Sequence, residues 1–409
     1  MDNLNVHISQ QDRFILYLFC FWLLIDSING FFLRVEIGLP ISIIYKLSII
    51  FLLSLRLLRF QQGRRIQCWI ILYIVWQIIY YLCLDIDEFI ESLQLLLKPL
   101  TNILIFLFMV HFIQRYNEYA MKWILKIFKY NFIIFTINIF SGLLGFGYHS
   151  YESVFGSLGF CGYFYALNEL GGVCMAIFPF ILYNLYEKGK GFFFIGCILI
   201  ITLGFLIISK AAILSALVSV LLLLYYKANY RKTIVFLVIT IILYFAFAFN
   251  IDVFLSGDMA YIQKALYAYD KGGLIELLLS SRQTFVAQRT AVFFNAPFFT
   301  QLFGVGGNRT VEMDIFDVLL NIGYVGTFIY FFSWIYLFSG LRHNRKNNDL
   351  IKIILASDLV LFGMSLFAGH IYFSSTAGLF IAMLNSLMFY KQNNEKKEKD
   401  SRCLQPISF

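Results

Sequence analysis

The sequence predicts an all-α, polytopic integral membrane protein of about twelve transmembrane helices with one long extracytoplasmic loop. Three observations carry that prediction. The 409-residue chain is 60% hydrophobic and only 14% charged, with a mean hydropathy of +0.77, far outside the composition of soluble domains. Apolar runs of the ~17 to 25 residues needed to cross a bilayer recur from Phe14 to Tyr390. Basic residues gather in alternate connections, as cytoplasmic loops do. Residues 1–409 therefore read as one membrane domain, with 251–313 as the long loop and 391–409 as a tail.

The apolar runs place spans at 14–31, 40–58, 66–84, 93–113, 123–144, 166–186, 192–208, 211–226, 233–250, 314–341, 350–368 and 374–390. The basic clusters at Arg56, Arg59, Arg64 and Arg65, at Arg115 and Lys122, at Lys188 and Lys190, at Lys227, Arg231 and Lys232, and at Arg342, Arg345 and Lys346 then share one side. The charged tail KQNNEKKEKDSR joins them as a solvated end, so both termini are expected in the cytoplasm. The opposite side receives the acidic connection with Asp85, Asp87, Glu88 and Glu91, the connection 145–165, and the segment 251–313. Loops of roughly sixty residues are usually functional. Its stretches LIELLL and AVFFNAPFF have the character of helices lying at a membrane interface.

Other classes are set aside on composition. The N-terminus MDNLNVHISQQDR lacks a basic region and a small-residue cleavage site, so the first helix reads as retained. Most of the seven cysteines fall inside apolar runs without a CxxC pair, which makes them core residues rather than thiolate metal ligands or a disulfide frame. The net charge of +8 lies in loops of one sidedness, which points to the lipid bilayer as the partner and not to nucleic acid. No repeat of the transporter kind is visible.

Ionisable residues against this apolar background are the candidate functional groups. Arg282 and Arg289 are seven residues apart, on one face of any helix formed there, and two guanidiniums on one face suit a diphosphate. Lipid headgroups are the alternative partner. Ser209 and Lys210 occupy a sharp reversal between two apolar runs, where Ser209 can cap the following helix and Lys210 can bind an anion or snorkel to headgroups. Gly304, Gly306 and Gly307 allow a tight turn and close approach of backbone amides to a ligand, without the spacing of a dinucleotide fingerprint. Arg309 adds a further cation, and the sequon at Asn308 is too short a pattern to carry weight.

Glu312, Asp314 and Asp317 precede the tenth predicted span, with Asp314 and Asp317 sharing a helical face and Glu312 toward the loop arginines. Such carboxylates complement a helix N-terminus, or one of them acts as a general base. Lys98 and His370 are the remaining groups near membrane depth. An ion pair or snorkelling is the alternative for Lys98, and a backbone-bonded helix-end position for His370.

Taken together, twelve spans, the Ser-Lys turn at 209–210, a late long loop, Ser281-Arg282, FGVG at 303–306 and the glycines Gly323 and Gly326 resemble the O-antigen polymerase (Wzy-type) and O-antigen ligase superfamily. The motifs span roughly residues 205–330. Ligases of this superfamily carry a His-Asn pair about eleven residues before the helical glycine, where this chain has Glu312-Met313, so the polymerase-like members are the nearer match. The resemblance implies a glycosyltransferase of a bacterial inner membrane that joins undecaprenyl-diphosphate-linked oligosaccharide repeat units on the outer face. Arg282, Arg289 and Lys210 would then hold the diphosphate, and Glu312, with Asp314 second, would be the base. No cofactor or metal is expected, and a chain-length regulator is a possible partner. A ligase-type transferase and a lipid-linked oligosaccharide flippase or other transporter are the competing readings.

Overall fold

The computed structural model describes residues 8–83, 86–153, 156–227, 270, 272–273, 282–306, 311–339 and 349–390. Helices dominate because an apolar segment in lipid must satisfy its backbone within itself. They are α1 (Gln10–Cys20), α2 (Trp22–Arg34), α3 (Ile41–Leu58), α4 (Gln61–Tyr81), α5 (Ile86–Tyr116), α6 (Glu118–Leu143), α7 (Leu167–Lys188), α8 (Lys190–Ile207), α9 (Lys210–Lys227), α10 (Arg282–Asn295), α11 (Phe298–Phe303), α12 (Asp314–Ser339), α13 (Asp349–Ala368) and α14 (Ser375–Ser386), the last continued by a 3-10 turn, Leu387–Phe389.

Eight of these are long and apolar enough to cross a membrane, or nine if α1 and α2 count as one bent span. The described residues thus hold eight or nine of the about twelve spans expected. The expected span at 14–31 is two helices meeting at 47°. Asn131 of α6 takes up the groups released at the break: its Oδ1 accepts from the Leu23 amide at 3.0 Å and its Nδ2 donates to the Phe19 carbonyl at 2.9 Å. The apolar parts of α4 and of the last helical segment, Gln67–Tyr81 and Ser375–Phe389, are shorter than a full span. The expected span at 233–250, most of the loop before 282, and the tail after 390 lie outside the described residues.

The connection after α6 is not plain loop. Tyr148–Ser153 and Gly156–Gly162 form an antiparallel hairpin, β1 and β2, with Tyr151 opposite Leu158. The hairpin packs on the turn between α8 and α9, where a Cβ at Gly159 would lie 2.6 Å from the Ile207 carbonyl oxygen. In that turn Ile208 is left-handed, and Ser209 caps α9 by accepting from the Ala212 amide at 3.0 Å.

Helix α7 lies deep in the bundle, buried without interruption from Glu169 to Leu182. It approaches α9 closely at Gly171, where a Cβ would stand 2.4 Å from that of Ala211. Lys227 marks one end of the bundle, pairing with Glu187 at 3.0 Å and Asp349 at 3.2 Å. The starts of α7, α9, α12 and α14 lie at the other.

At that second end the loop before α12 locks into the helix itself. Gly323 interrupts α12 with φ 64° and ψ −170°, and the carbonyls freed there find new donors. Leu320 accepts from the Val305 amide at 2.9 Å, and Asn321 from the Tyr81 hydroxyl at 3.2 Å. A Cβ at Gly304 would lie 2.2 Å from the Asn321 carbonyl, and one at Gly323 would lie 2.4 Å from the Gly304 amide nitrogen. Tyr80 and Gln77 of α4 fasten the turn by donating to the Gly304 and Phe303 carbonyls, at 2.7 Å and 2.6 Å. The close approach expected of Gly304 is thus made to the chain's own backbone, because the kink has opened a slot for it. Gly307 lies outside the described residues.

Gly323→Ala is expected to lower stability by about 2 kcal/mol or more, since it combines left-handed strain with overpacking. Gly363→Ala, where a Cβ meets nothing within 4 Å, should be neutral or stabilising. Thermal unfolding of the purified protein in detergent compares the two.

Candidate functional site

Between α13 and α14 the chain runs without helix through residues 369–374. Ile371, Phe373 and Ser374 are fully buried there, so their backbone donors need partners inside the protein. Asp314, the first residue of α12, supplies them. Its Oδ2 accepts from the amides of Ile371, Tyr372 and Phe373 at 3.0, 2.6 and 3.2 Å, while Oδ1 takes one further contact from Ile371 at 3.2 Å. The loop is also fastened from α5, where Asn102 Nδ2 donates to the Tyr372 carbonyl at 2.6 Å, and from α7, where Glu169 accepts from the Ser374 hydroxyl at 2.7 Å. A carboxylate bound so fully to backbone amides is a structural acceptor. Asp314 therefore serves as a clasp, and its candidacy as base is weakened by that occupation.

Glu312 sits differently. Its side chain is 48% exposed and its Oε2 accepts from Arg282 Nη2 at 2.8 Å and Nε at 3.2 Å. Arg282 opens α10 and also donates through Nη1 to the Phe367 carbonyl at the end of α13, 2.7 Å away. Asn168, at the start of α7, adds a third donor to Oε2 at 3.1 Å. Glu312 holds φ 60°, and His370 holds φ 55°, both rare for residues with a Cβ. The reason for the neighbouring Gly369, at φ 53°, is contact: a Cβ there would lie 2.0 Å from the Glu312 carbonyl carbon. Backbone strain at two facing positions, with a half-exposed carboxylate between a guanidinium and an amide, is a pattern found at working sites.

His370 and Asp317 face each other below this pair. Asp317 is completely buried; its Oδ1 accepts from the Val311 amide at 2.5 Å, which orders the turn before α12. Its Oδ2 lies 3.9 Å from His370 Nδ1, and neither atom has a hydrogen-bond partner. The backbone-bonded position expected as one alternative for His370 is therefore not found at Nδ1. Burial, aided by the Lys98 ammonium, pulls the His370 imidazole down to about 4, so the ring is neutral near neutral pH. Asp314, Asp317 and His370 are also the groups that one cation could touch together.

The other expected residues are placed as follows. Lys210 is exposed at the start of α9, at the same end of the bundle as Asn168, because Ala211 packs on Gly171 one turn along α7. Arg289 is exposed on α10, about 10 Å along the axis from Arg282. Arg309 lies outside the described residues. Lys98 stands 4.0 Å from Glu169, the ion-pair alternative, with its ammonium 5.6 Å from the centre of the Phe373 ring.

Sequence reasoning missed Asn168 and Glu169, and also the ion pair of Lys46 with Asp26 at 2.7 Å, whose lysine donates to Ser375 at 3.1 Å. The signal for Glu169 was present: a carboxylate in the first turn of an otherwise apolar span. Beside the site a cavity of about 90 Å³ separates α12 from α13, lined by Ile315, Tyr330, Phe331, Phe362 and Tyr372, with Asp314 at its margin.

Two substitutions separate clasp from site. Asp314→Asn is expected to cost about 2 kcal/mol or more, because an amide cannot accept from three backbone donors through two anionic oxygens. Arg282→Ala is expected to cost under about 1 kcal/mol, as its partner is half in water. Denaturation midpoints in detergent measure both.

No family model matches the chain, and no curated protein or solved structure matches it either.

Proposed function

We propose that the protein is a membrane glycosyltransferase that polymerises undecaprenyl-diphosphate-linked oligosaccharide repeat units of a bacterial surface polysaccharide. The observation that carries this reading is the Arg282–Glu312 pair, held on strained backbone at the mouth of the helix bundle and half open to solvent. The family resemblance supplies the substrate class, and the charge alternation puts this end of the bundle outside the inner membrane, with both termini in the cytoplasm.

In this reaction an acceptor sugar hydroxyl attacks the anomeric carbon of the donor. The new C–O bond forms as the bond to the diphosphate breaks, and the bonding electrons leave on the diphosphate oxygen. Arg282 offsets that charge, and Arg289 and Lys210 are the further cations proposed to reach the donor. Glu312 receives the hydroxyl proton. Oε2 of Glu312 already accepts three donors, so an arriving diphosphate competes for Arg282 and releases the carboxylate toward the acceptor. A chain-length regulator would act on this same outer face.

The test is polysaccharide length on a gel, from cells deleted for the gene and complemented with wild type, Arg282→Ala or Glu312→Gln. The expected result is single repeat units on deletion, long chains with wild type, and at least about a hundredfold less polymer with either variant at equal expression. Long chains left on the lipid carrier would indicate ligation instead, and single units trapped inside would indicate a flippase.

A further inference from the structure

The site contains more acceptor than the proposed transfer uses. Asp314 and Asp317 lie three residues apart in the first turn of α12, and His370 comes to them from the loop after α13. One ligand atom from each falls within 4.8 Å of the other two. Among the described residues, Asp317 Oδ2, on a fully buried side chain, and His370 Nδ1 are both without a hydrogen-bond partner. Their separation of 3.9 Å is too wide for a hydrogen bond. It is close to the span of two coordinate bonds of about 2.1 Å at one ion. Three amides converge on Asp314 Oδ2, which leaves Oδ1, with its long contact from Ile371, as the oxygen that can turn to an ion.

Among the described residues the local charge is also incomplete. Lys98 is the cation that acts on both Asp317 and His370, and it stands 4.0 Å from a third carboxylate, Glu169. Arg282 acts on His370 too, but it is bound to Glu312. Buried carboxylates in excess of their cations are costly, and a divalent ion supplies the missing charge at the point where the unpaired atoms converge.

We infer that Asp314, Asp317 and His370 form a binding site for a divalent transition-metal ion. One imidazole nitrogen with two carboxylate oxygens is a donor set for Zn²⁺ or Mn²⁺. The ion ties the first turn of α12 to residues 369–373, the segment against which Glu312 is folded. It is thus a positioning element for the Glu312 turn, and the site stands whether or not the chain is a glycosyltransferase.

The experiment uses the full chain, purified in detergent, stripped with a chelator and dialysed against Zn²⁺ or Mn²⁺. Metal content by mass spectrometry and the melting temperature are read together. One ion per chain is expected, with a rise in melting temperature that saturates with the ion, and with affinity reduced about tenfold or more in both Asp317→Asn and His370→Gln. His149→Gln, in the hairpin, should bind as wild type does. Should Asp317→Asn fail to fold, His370→Gln decides alone. Fewer than about one ion per ten chains with both metals, or unchanged affinity in His370→Gln, would overturn the site and leave the Arg282–Glu312 reading intact.

Discussion

The end of the bundle opposite Lys227 is organised by one carboxylate accepting three backbone amides. A chain segment without helix, fully buried among membrane helices, is tolerated only where its donors are satisfied by protein. Asp314 does that for residues 371–373, and being the first residue of α12 it fixes the start of that helix against the loop at the same time. Asn102 from α5 and Glu169 from α7 complete the attachment. Three helices are therefore registered on one short stretch of backbone, and the turn carrying Glu312 inherits its place from them.

The second constraint is mutual burial of backbone at glycine. The turn at 304 enters the kink of α12 at 323, and Gly369 admits the backbone of Glu312. Both contacts bring main chain to main chain at distances that no side chain would permit. They fix both ends of the connection from α11 to α12, and among its described residues the one left exposed is Glu312, with its arginine.

Charge at this end is arranged in two depths. Near the surface, Arg282, Asn168 and Glu312 form a half-exposed cluster whose members can exchange partners with an incoming anion. Deeper, Lys98, Glu169, Asp317 and His370 are enclosed, and there acceptors outnumber donors. Glu312 is the member of the upper group open to solvent, and the lower group is buried beneath it. The proposed polymerase chemistry uses the first, and the proposed cation site completes the second.

What the sequence determined by itself was whatever depends on local composition: helices embedded in a membrane, most of their limits to within a few residues, the cap at Ser209, and the placement of Glu312 toward the arginines of the preceding loop. Hydropathy and helical spacing act along the chain, so they are legible in it. The break at Phe21 and the hairpin at 148–162 were not, since each is stabilised by partners distant in sequence, as Asn131 shows for the break. The same holds for the three carboxylates at 312–317. Spacing could name them but not divide their roles, because the amides that claim Asp314 and the histidine that faces Asp317 come from the loop at 370–373, and the guanidinium that pairs with Glu312 comes from Arg282. Only the tertiary structure, by deciding which side chain was left in water, distinguished the clasp from the candidate base.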